Sequence, residues 1–219
     1  MAKRALIVWG GWSGHAPKEV GAAFADALRA EGFDVEVRDT LEAFADASLM
    51  ETLDLIVPVW TMGKISNEQA KGVIEAVRDR GVGLAGCHGG MCDAFRDHTE
   101  WQFMTGGQFV AHPGNDGTNY RVKIVKGSSP IVDGLDDYDV SSEQYYMHVD
   151  PANKVLATTS FPTVDGPHVV NGPVEMPVVW TRGFGKGRVF YHALGHDLKT
   201  ITAEPTITMM RRGFAWAAR

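Results

Sequence analysis

Val82-Gly83-Leu84-Ala85-Gly86-Cys87-His88-Gly89-Gly90 reads as a short apolar strand that runs into a turn set between glycines. An apolar run bounded in this way suits a strand buried on both faces, and the sharp turn behind it implies a helix. Glycines on either side of a strained residue let that residue project above a sheet toward the next helix N-terminus, the shape of a nucleophile elbow. The central residue here is His88, whereas Cys87, one place earlier, points back into the sheet and reads as structural.

The stretches upstream repeat the theme. Arg4 to Trp9 is a buried strand ending in Gly10 and Gly11, and Leu55 to Trp60 is another. Between them Pro17 fits a first helical turn, Val20, Phe24, Ala27 and Leu28 share one face, and Gly32 ends the helix. Phe33, Val35 and Val37 alternate with Asp34, Glu36 and Arg38, as an edge strand with one solvated face would. Ser66 and Gln69 form a capping box before the stripe Ala70, Val73, Ile74 and Val77, which Gly81 closes. Strands and helices that alternate through short connections make right-handed crossovers and a mainly parallel sheet covered on both faces. The expected fold is therefore α/β, a flavodoxin-like three-layer sandwich.

Downstream the pattern becomes more β-rich, with strands expected at Tyr120 to Val125, Glu143 to Val149, Lys154 to Thr159, Met176 to Thr181 and Arg188 to Ala193. Gly183 to Gly187 fits a hairpin turn better than a phosphate cradle. From Pro205 onward Ile207, Met210, Phe214 and Ala217 make the stripe of a closing amphipathic helix. No linker or repeat divides the 219 residues, and at roughly 150 residues per domain, residues 1–219 are expected to form a single domain.

Composition narrows the partners. Lys plus Arg number 21 against 27 Asp plus Glu, and a net charge of −6 without blocks offers no basic surface to nucleic acid or anionic lipid. The longest apolar run is far shorter than the ~20 residues of a membrane span, and the start lacks an apolar run of signal-peptide length, so a cytoplasmic protein is expected. The two cysteines, Cys87 and Cys92, lack CxxC spacing and support neither a disulfide framework nor a thiol zinc finger. Gly10-Gly11 lacks the GxGxxG order, so NAD is not an expected cofactor. A homo-oligomer is allowed for, though nothing in the sequence specifies one.

In open parallel sheets ligands bind beyond the carboxyl ends of the strands. Those ends carry Trp12 and His15 after the first strand, Trp60, Thr61 and Met62 after the third, Cys87 and His88 after the fourth, and Gly195-His196-Asp197 after the late strand. Three imidazoles, His15, His88 and His196, are thus expected at one rim, where they point to acid–base or metal chemistry. As a rim residue, His88 is expected to be replaceable by Ala with loss of function but little change in thermal stability. Zinc takes three protein ligands plus water in a catalytic site; His15, His88, His112, Glu143, His148 and His196 are candidate donors, and His15, His88 and His112 are the set proposed for a divalent metal, although no HExxH spacing supports it.

The order of motifs resembles one family. Gly10-Gly11-Trp12-Ser13-Gly14-His15, Gly86-Cys87-His88-Gly89-Gly90, Trp101 to Gly107 with Phe109 and His112, Ser129 to Leu135, and Gly185 to Tyr191 followed by Leu194-Gly195-His196-Asp197 look like the trehalose utilization (ThuA-like) family, nearly end to end. The resemblance implies the fold of class I glutamine amidotransferases without their cysteine, since here the elbow carries His88. It also implies a role in bacterial disaccharide metabolism, acting on trehalose or a 3-keto derivative by hydrolysis or isomerisation. Within Ser141 to His148 it carries over Glu143 as the site carboxylate, Ser142 standing where the family has Asp. Glu143 and His88 are then the expected base and acid, His15 a positioning donor or metal ligand, and Tyr145, on the face of Glu143, a substrate contact together with Trp12, Trp60 and His196. Trp101 is a further candidate ring. Two other readings stay open: a non-catalytic sugar- or metal-binding protein, and a cysteine-dependent amidase.

Overall fold

In a computed structural model that describes residues 2–219, the first half follows the apolar runs closely. Strands β1 (Arg4–Gly11), β2 (Asp34–Arg38), β3 (Leu55–Thr61) and β4 (Gly83–Cys87) alternate with helices α1 (Pro17–Ala30), α2 (Ala47–Glu51) and α3 (Asn67–Arg80). Ala5, Leu6, Ile7 and Val8 have no exposed surface, nor do Leu55, Ile56 and Val57, as a sheet covered on both faces demands. Pro17 opens α1, whose Val20, Phe24, Ala27 and Leu28 are buried. The Ser66–Gln69 capping box opens α3, and Gly81, in the left-handed region at φ 78°, closes it.

The second half adds α4 (His88–Cys92), α5 (Thr99–Thr105), β5 (Gly107–Ala111), β6 (Thr118–Ile124), β7 (Tyr138–Ser142), β8 (Tyr146–Val149), β9 (Lys154–Phe161), β10 (Val174–Phe184), β11 (Gly187–His192), α6 (Leu198–Thr202) and α7 (Thr206–Ala217). Nine strands form one sheet in the order β2-β1-β3-β4-β11-β10-β9-β6-β7, and β5 pairs with β8 in a small second sheet. The neighbours from β2 to β11 are parallel, and those from β11 to β7 are antiparallel. α1 and α7 cover one face, joined by an edge-on contact of Phe24 with Phe214, while α3 and α5 pack on the other. β10 and β11 form the expected hairpin around Gly185 and Lys186. Among the described residues no helix is long and apolar enough to cross a membrane.

Two expectations need correction. Glu143 to Val149 is not one strand, because β7 stops at Ser142 and β8 starts at Tyr146. The chain leaves the edge of the large sheet at Glu143-Gln144-Tyr145 to pair with β5. Buried Gln144 pins that crossing by donating to Thr159 Oγ1 (2.8 Å) and to the Ser160 carbonyl (3.0 Å). Such a connection has no local signature, since Val140-Ser141-Ser142-Glu143-Gln144-Tyr145-Tyr146 contains no glycine or proline to interrupt a strand. The strand after α3 also runs one residue further than expected, so that Cys87 rather than Gly86 is its last residue.

The carboxyl ends of β1, β3, β4 and β11 share one edge, and the crossing segment 143–145 lies over it. Pairing of Gly11 with Thr61 draws the loops after β1 and β3 together. Gly11 sits at φ 77°, and a Cβ there would lie 2.1 Å from the Thr61 carbonyl oxygen, which accepts a hydrogen bond from the Trp12 N–H at 2.8 Å. Only glycine allows that close approach.

Candidate active site

Four turns at this edge deliver imidazoles toward one carboxylate. His15 follows β1, His88 opens α4, His112 follows β5 and His196 follows β11. Glu143 is 6% exposed at their centre. Its Oε2 lies 3.0 Å from His88 Nε2, 3.4 Å from His196 Nδ1 and 4.0 Å from His15 Nε2, while Oε1 lies 3.6 Å from His112 Nε2. The Tyr120 hydroxyl donates to the Glu143 carbonyl at 2.9 Å and fixes the segment from below.

Backbone strain marks the same place. Among the described residues the non-glycine residues with positive φ are Ala16 (44°), Met62 (45°), His88 (49°) and Asn115 (60°), each beside the cluster or on the wall of the adjoining cavity. Left-handed backbone costs an L-residue about 1–2 kcal/mol, and such costs collect where a side chain must be aimed. His88 has the conformation expected of an elbow. The packing leaves no slack, because a Cβ on Gly89 would lie 2.8 Å from His15 Cε1 and from Thr61 Cγ2.

His88 is held on three sides. Its Nδ1 lies 2.7 Å from the Ala193 carbonyl oxygen, its ring stacks on Tyr145 at 3.9 Å, and its own carbonyl accepts from the Tyr191 hydroxyl. A carbonyl can only accept, so Nδ1 carries a proton. A neutral ring would then aim the lone pair of Nε2 at a carboxylate oxygen 3.0 Å away. Two acceptors at that distance need a proton or a metal ion between them.

Burial, with the neighbouring His88, lowers the pKa of His15 to about 3. Burial also lowers that of His88. For Glu143 burial acts upward, but the neighbouring His196 and His88 outweigh it and hold the carboxyl below the usual range. His196 moves the other way, raised by its contact with Glu143. The carboxylate is therefore ionised at neutral pH.

A cavity of about 120 Å³ opens in front of Glu143, lined among others by Trp12, His15, Thr61, Phe109, His112 and Tyr145. Arg96 adds a positive charge to its wall. It is oriented by two hydrogen bonds to Asp93, at 2.5 and 2.9 Å, and lies over the Phe109 ring.

The residues singled out by sequence divide accordingly. His15, Glu143, Trp12 and Tyr145 line the cavity, and His112 joins them. His88 does not line it: at 1% exposure the ring lies behind the lining residues Glu143, Tyr145 and His15. Trp60 lies elsewhere, its ring against Gly10 and Gly63. Trp101 is core, its indole N–H bonded to the Met91 carbonyl. Cys87 is buried, and burial pushes its thiol up to about 12. The expected metal set also changes. One donor atom from each of His15, His88, Glu143 and His196 falls within 4.8 Å of the others, so His196 replaces His112 and Glu143 is added. Three imidazoles and one carboxylate are a donor set that zinc accepts. Asp93 and Arg96 were missed by the sequence reading; the available signal was a salt-bridge pair at i,i+3 directly after the elbow helix.

The sequence profile of the trehalose utilisation (ThuA) family matches residues 4–217. No curated protein matches the chain in sequence. Among solved structures, a ThuA-like protein from Parabacteroides merdae superposes with a TM-score of 0.77 at 19% identity, covering 99% of this chain and 90% of that one. A ThuA-like protein from Bacteroides uniformis gives 0.75 at 16% identity, over 98% and 91% of the two chains. A glutamine amidotransferase from Thermotoga maritima gives 0.55 at 13% identity, over 88% and 75%. The fold is thus that of the amidotransferase-like α/β proteins.

Proposed function

The chain belongs to the trehalose utilisation (ThuA) family, and on that premise we propose that it is an enzyme acting on a carbonyl-bearing disaccharide, such as a 3-keto derivative of trehalose, with Glu143 as the base. The observation that carries this reading is the Glu143 carboxylate, 6% exposed and surrounded by imidazoles in a cavity walled by aromatic rings. Sugars ask for such a mixture, since their C–H faces pack on rings while their hydroxyls need hydrogen bonds.

Oε2 is occupied by His88 and His196, which leaves Oε1, on the side of His112, as the atom that takes a proton. Removal of the proton beside a keto group moves the C–H electron pair toward the carbonyl oxygen, where Arg96 and His112 supply positive charge and a hydrogen-bond donor. Return of the proton to the former carbonyl carbon isomerises the sugar, provided the hydroxyl on the deprotonated carbon passes its own proton to the enolate oxygen and becomes the new carbonyl. Alternatively the enolate expels the glycosidic oxygen from the carbon on the far side of the deprotonated one, the departing oxygen takes the proton held by Glu143, and water then adds to the resulting enone, which completes hydrolysis of the disaccharide. His88 acts here as a positioning residue, orienting Glu143 from behind rather than touching the substrate. General bases of this kind contribute ~10²–10⁴-fold.

The test is solvent exchange. In deuterated water the protein should catalyse loss of the proton beside the keto group of 3-keto-trehalose, followed by NMR, and Glu143→Gln should slow that loss at least ~10²-fold. Exchange that persists in Glu143→Gln would remove Glu143 from the chemistry. Sugar binding without exchange would leave a binding protein.

A second reading is favoured by the lone pair of His88 facing Glu143. In it His15, His88, Glu143 and His196 hold a divalent cation such as zinc, which would polarise a carbonyl or activate water. The Ala193 carbonyl would then serve as the outer partner that fixes the tautomer of a ligating imidazole. Stoichiometric metal in protein purified without an affinity tag supports this reading, and metal-free protein with full exchange activity refutes it.

A further inference from the structure

The cavity in front of Glu143 is small. Its 120 Å³ lies below the ~300–1,000 Å³ typical of sites that enclose a whole small-molecule ligand. A second cavity of about 690 Å³ shares the side chains Phe109 and His112 with it. Its far wall comes from a different part of the chain, the turn Pro167–Asn171 after β9, together with Tyr146 of β8. The two cavities therefore share the wall formed by Phe109 and His112, and His112 stands beside Glu143 Oε1.

The larger cavity has its own recognition chemistry. Phe109 and Tyr146 offer aromatic faces, and Asn171 donates to the Tyr146 hydroxyl at 2.9 Å, which orients that ring. His168 is only 9% exposed, yet neither of its ring nitrogens has a hydrogen-bond partner, and Nδ1 of His112 lacks one as well. Buried imidazole nitrogens without partners are rare, because each forfeits its solvation for nothing. These nitrogens have no accessible surface as the side chains stand, so a hydroxylated ligand in this cavity would supply the missing partners once a ring turns toward it. The charged residue among the lining side chains is Asp165, and no Lys or Arg lines the cavity among the described residues.

We propose that this cavity is the subsite for the second sugar ring of a disaccharide, and that it selects an uncharged ring over a phosphorylated one. The proposal rests on the carbohydrate reading given above and adds to it the direction of binding. The reacting ring lies at Glu143, the linkage passes over the rim of the wall formed by Phe109 and His112, whose ring centres are 5.7 Å apart, and the second ring stacks beside Tyr146 and His168. The aromatic faces receive its C–H surface, the unpartnered imidazoles its hydroxyls, and Asp165 together with the lack of cations repels a phosphate.

Binding of unreactive sugars tests this without requiring turnover. Trehalose, glucose and trehalose 6-phosphate would be titrated calorimetrically into the wild type, His168→Phe and Asn171→Ala. In the wild type trehalose should bind about tenfold tighter than glucose or better, and trehalose 6-phosphate about tenfold weaker than trehalose. Both variants should lose the advantage of trehalose while binding glucose unchanged. Asn171 is exposed, so its replacement serves if His168→Phe fails to fold. Equal affinity for glucose and trehalose, no binding of either, or equal weakening of both in the variants overturns the subsite. Trehalose binding that depends on His168, in a protein showing no proton exchange, would retain the subsite and discard the catalytic reading. Exchange on a keto-disaccharide that neither variant alters would do the reverse.

Discussion

Replacing His88 should destabilise the protein substantially, contrary to what its place after a strand suggests. Removal of the ring leaves the Ala193 carbonyl without its 2.7 Å donor, a loss of ~1–3 kcal/mol for a buried acceptor. It also removes the stack on Tyr145 at 3.9 Å, worth ~0.5–1.5 kcal/mol on the scale of aromatic pairs. With the void left at a site 1% exposed, His88→Ala should cost about 2–5 kcal/mol. The backbone adds a sharper expectation. Glycine is ordinarily ~0.5–1 kcal/mol worse than alanine in regular structure, but at φ 49° the Cβ itself costs ~1–2 kcal/mol. His88→Gly should therefore be as stable as His88→Ala, or more so by up to ~1 kcal/mol. Urea unfolding at pH 7, with m-values compared, measures both differences. A loss below ~0.5 kcal/mol in His88→Ala, or a glycine variant clearly weaker than the alanine variant, would refute the account of His88 as a buried, strained positioning residue.

Two further outcomes follow from burial. Neither Cys87 nor Cys92 should react with a thiol reagent such as DTNB in the native protein, because burial raises both thiols, Cys87 to about 12; rapid native labelling, or loss of exchange activity in Cys87→Ser with the fold intact, would revive a thiol enzyme. His192 has no exposed surface, and burial lowers its pKa to about 3 from an unfolded value of 6.5. Between those values the unfolded chain binds the extra proton, so stability is fully present above pH 6.5 and falls as the pH drops toward 3. The slope from this residue is up to ~1.4 kcal/mol per pH unit. In His192→Asn, where the amide oxygen can still accept from the Leu194 N–H, unfolding measured from pH 6 to 4 should show a shallower slope; identical slopes would sink the assignment.

Much of the frame was legible because its signals are local. Arg4 to Trp9 and Leu55 to Trp60 are apolar without alternation because both faces are covered, and Ser66 and Gln69 meet because a helix start needs partners for its free N–H groups. His88 was legible as an elbow because glycines at 86, 89 and 90 leave room for one strained residue, and His15 and His196 because strand ends in a parallel sheet share an edge. The position of Glu143 was not readable from periodicity, which made it part of a strand. Its approach depends on Gln144 anchoring to β9 and on Tyr146 pairing into a second sheet with β5, contacts between stretches far apart in the chain. Tertiary packing likewise turned Trp60 away from the cavity and placed Arg96 over Phe109. It also put His196 rather than His112 beside Oε2 of Glu143, since distance between side chains on different loops depends on how the loops dock. Sequence thus determined which groups reach the edge, through hydrophobic pattern and turn chemistry. The folded chain alone decided which of them touch, because the crossing of residues 143–145 is held by long-range hydrogen bonds that no local pattern encodes.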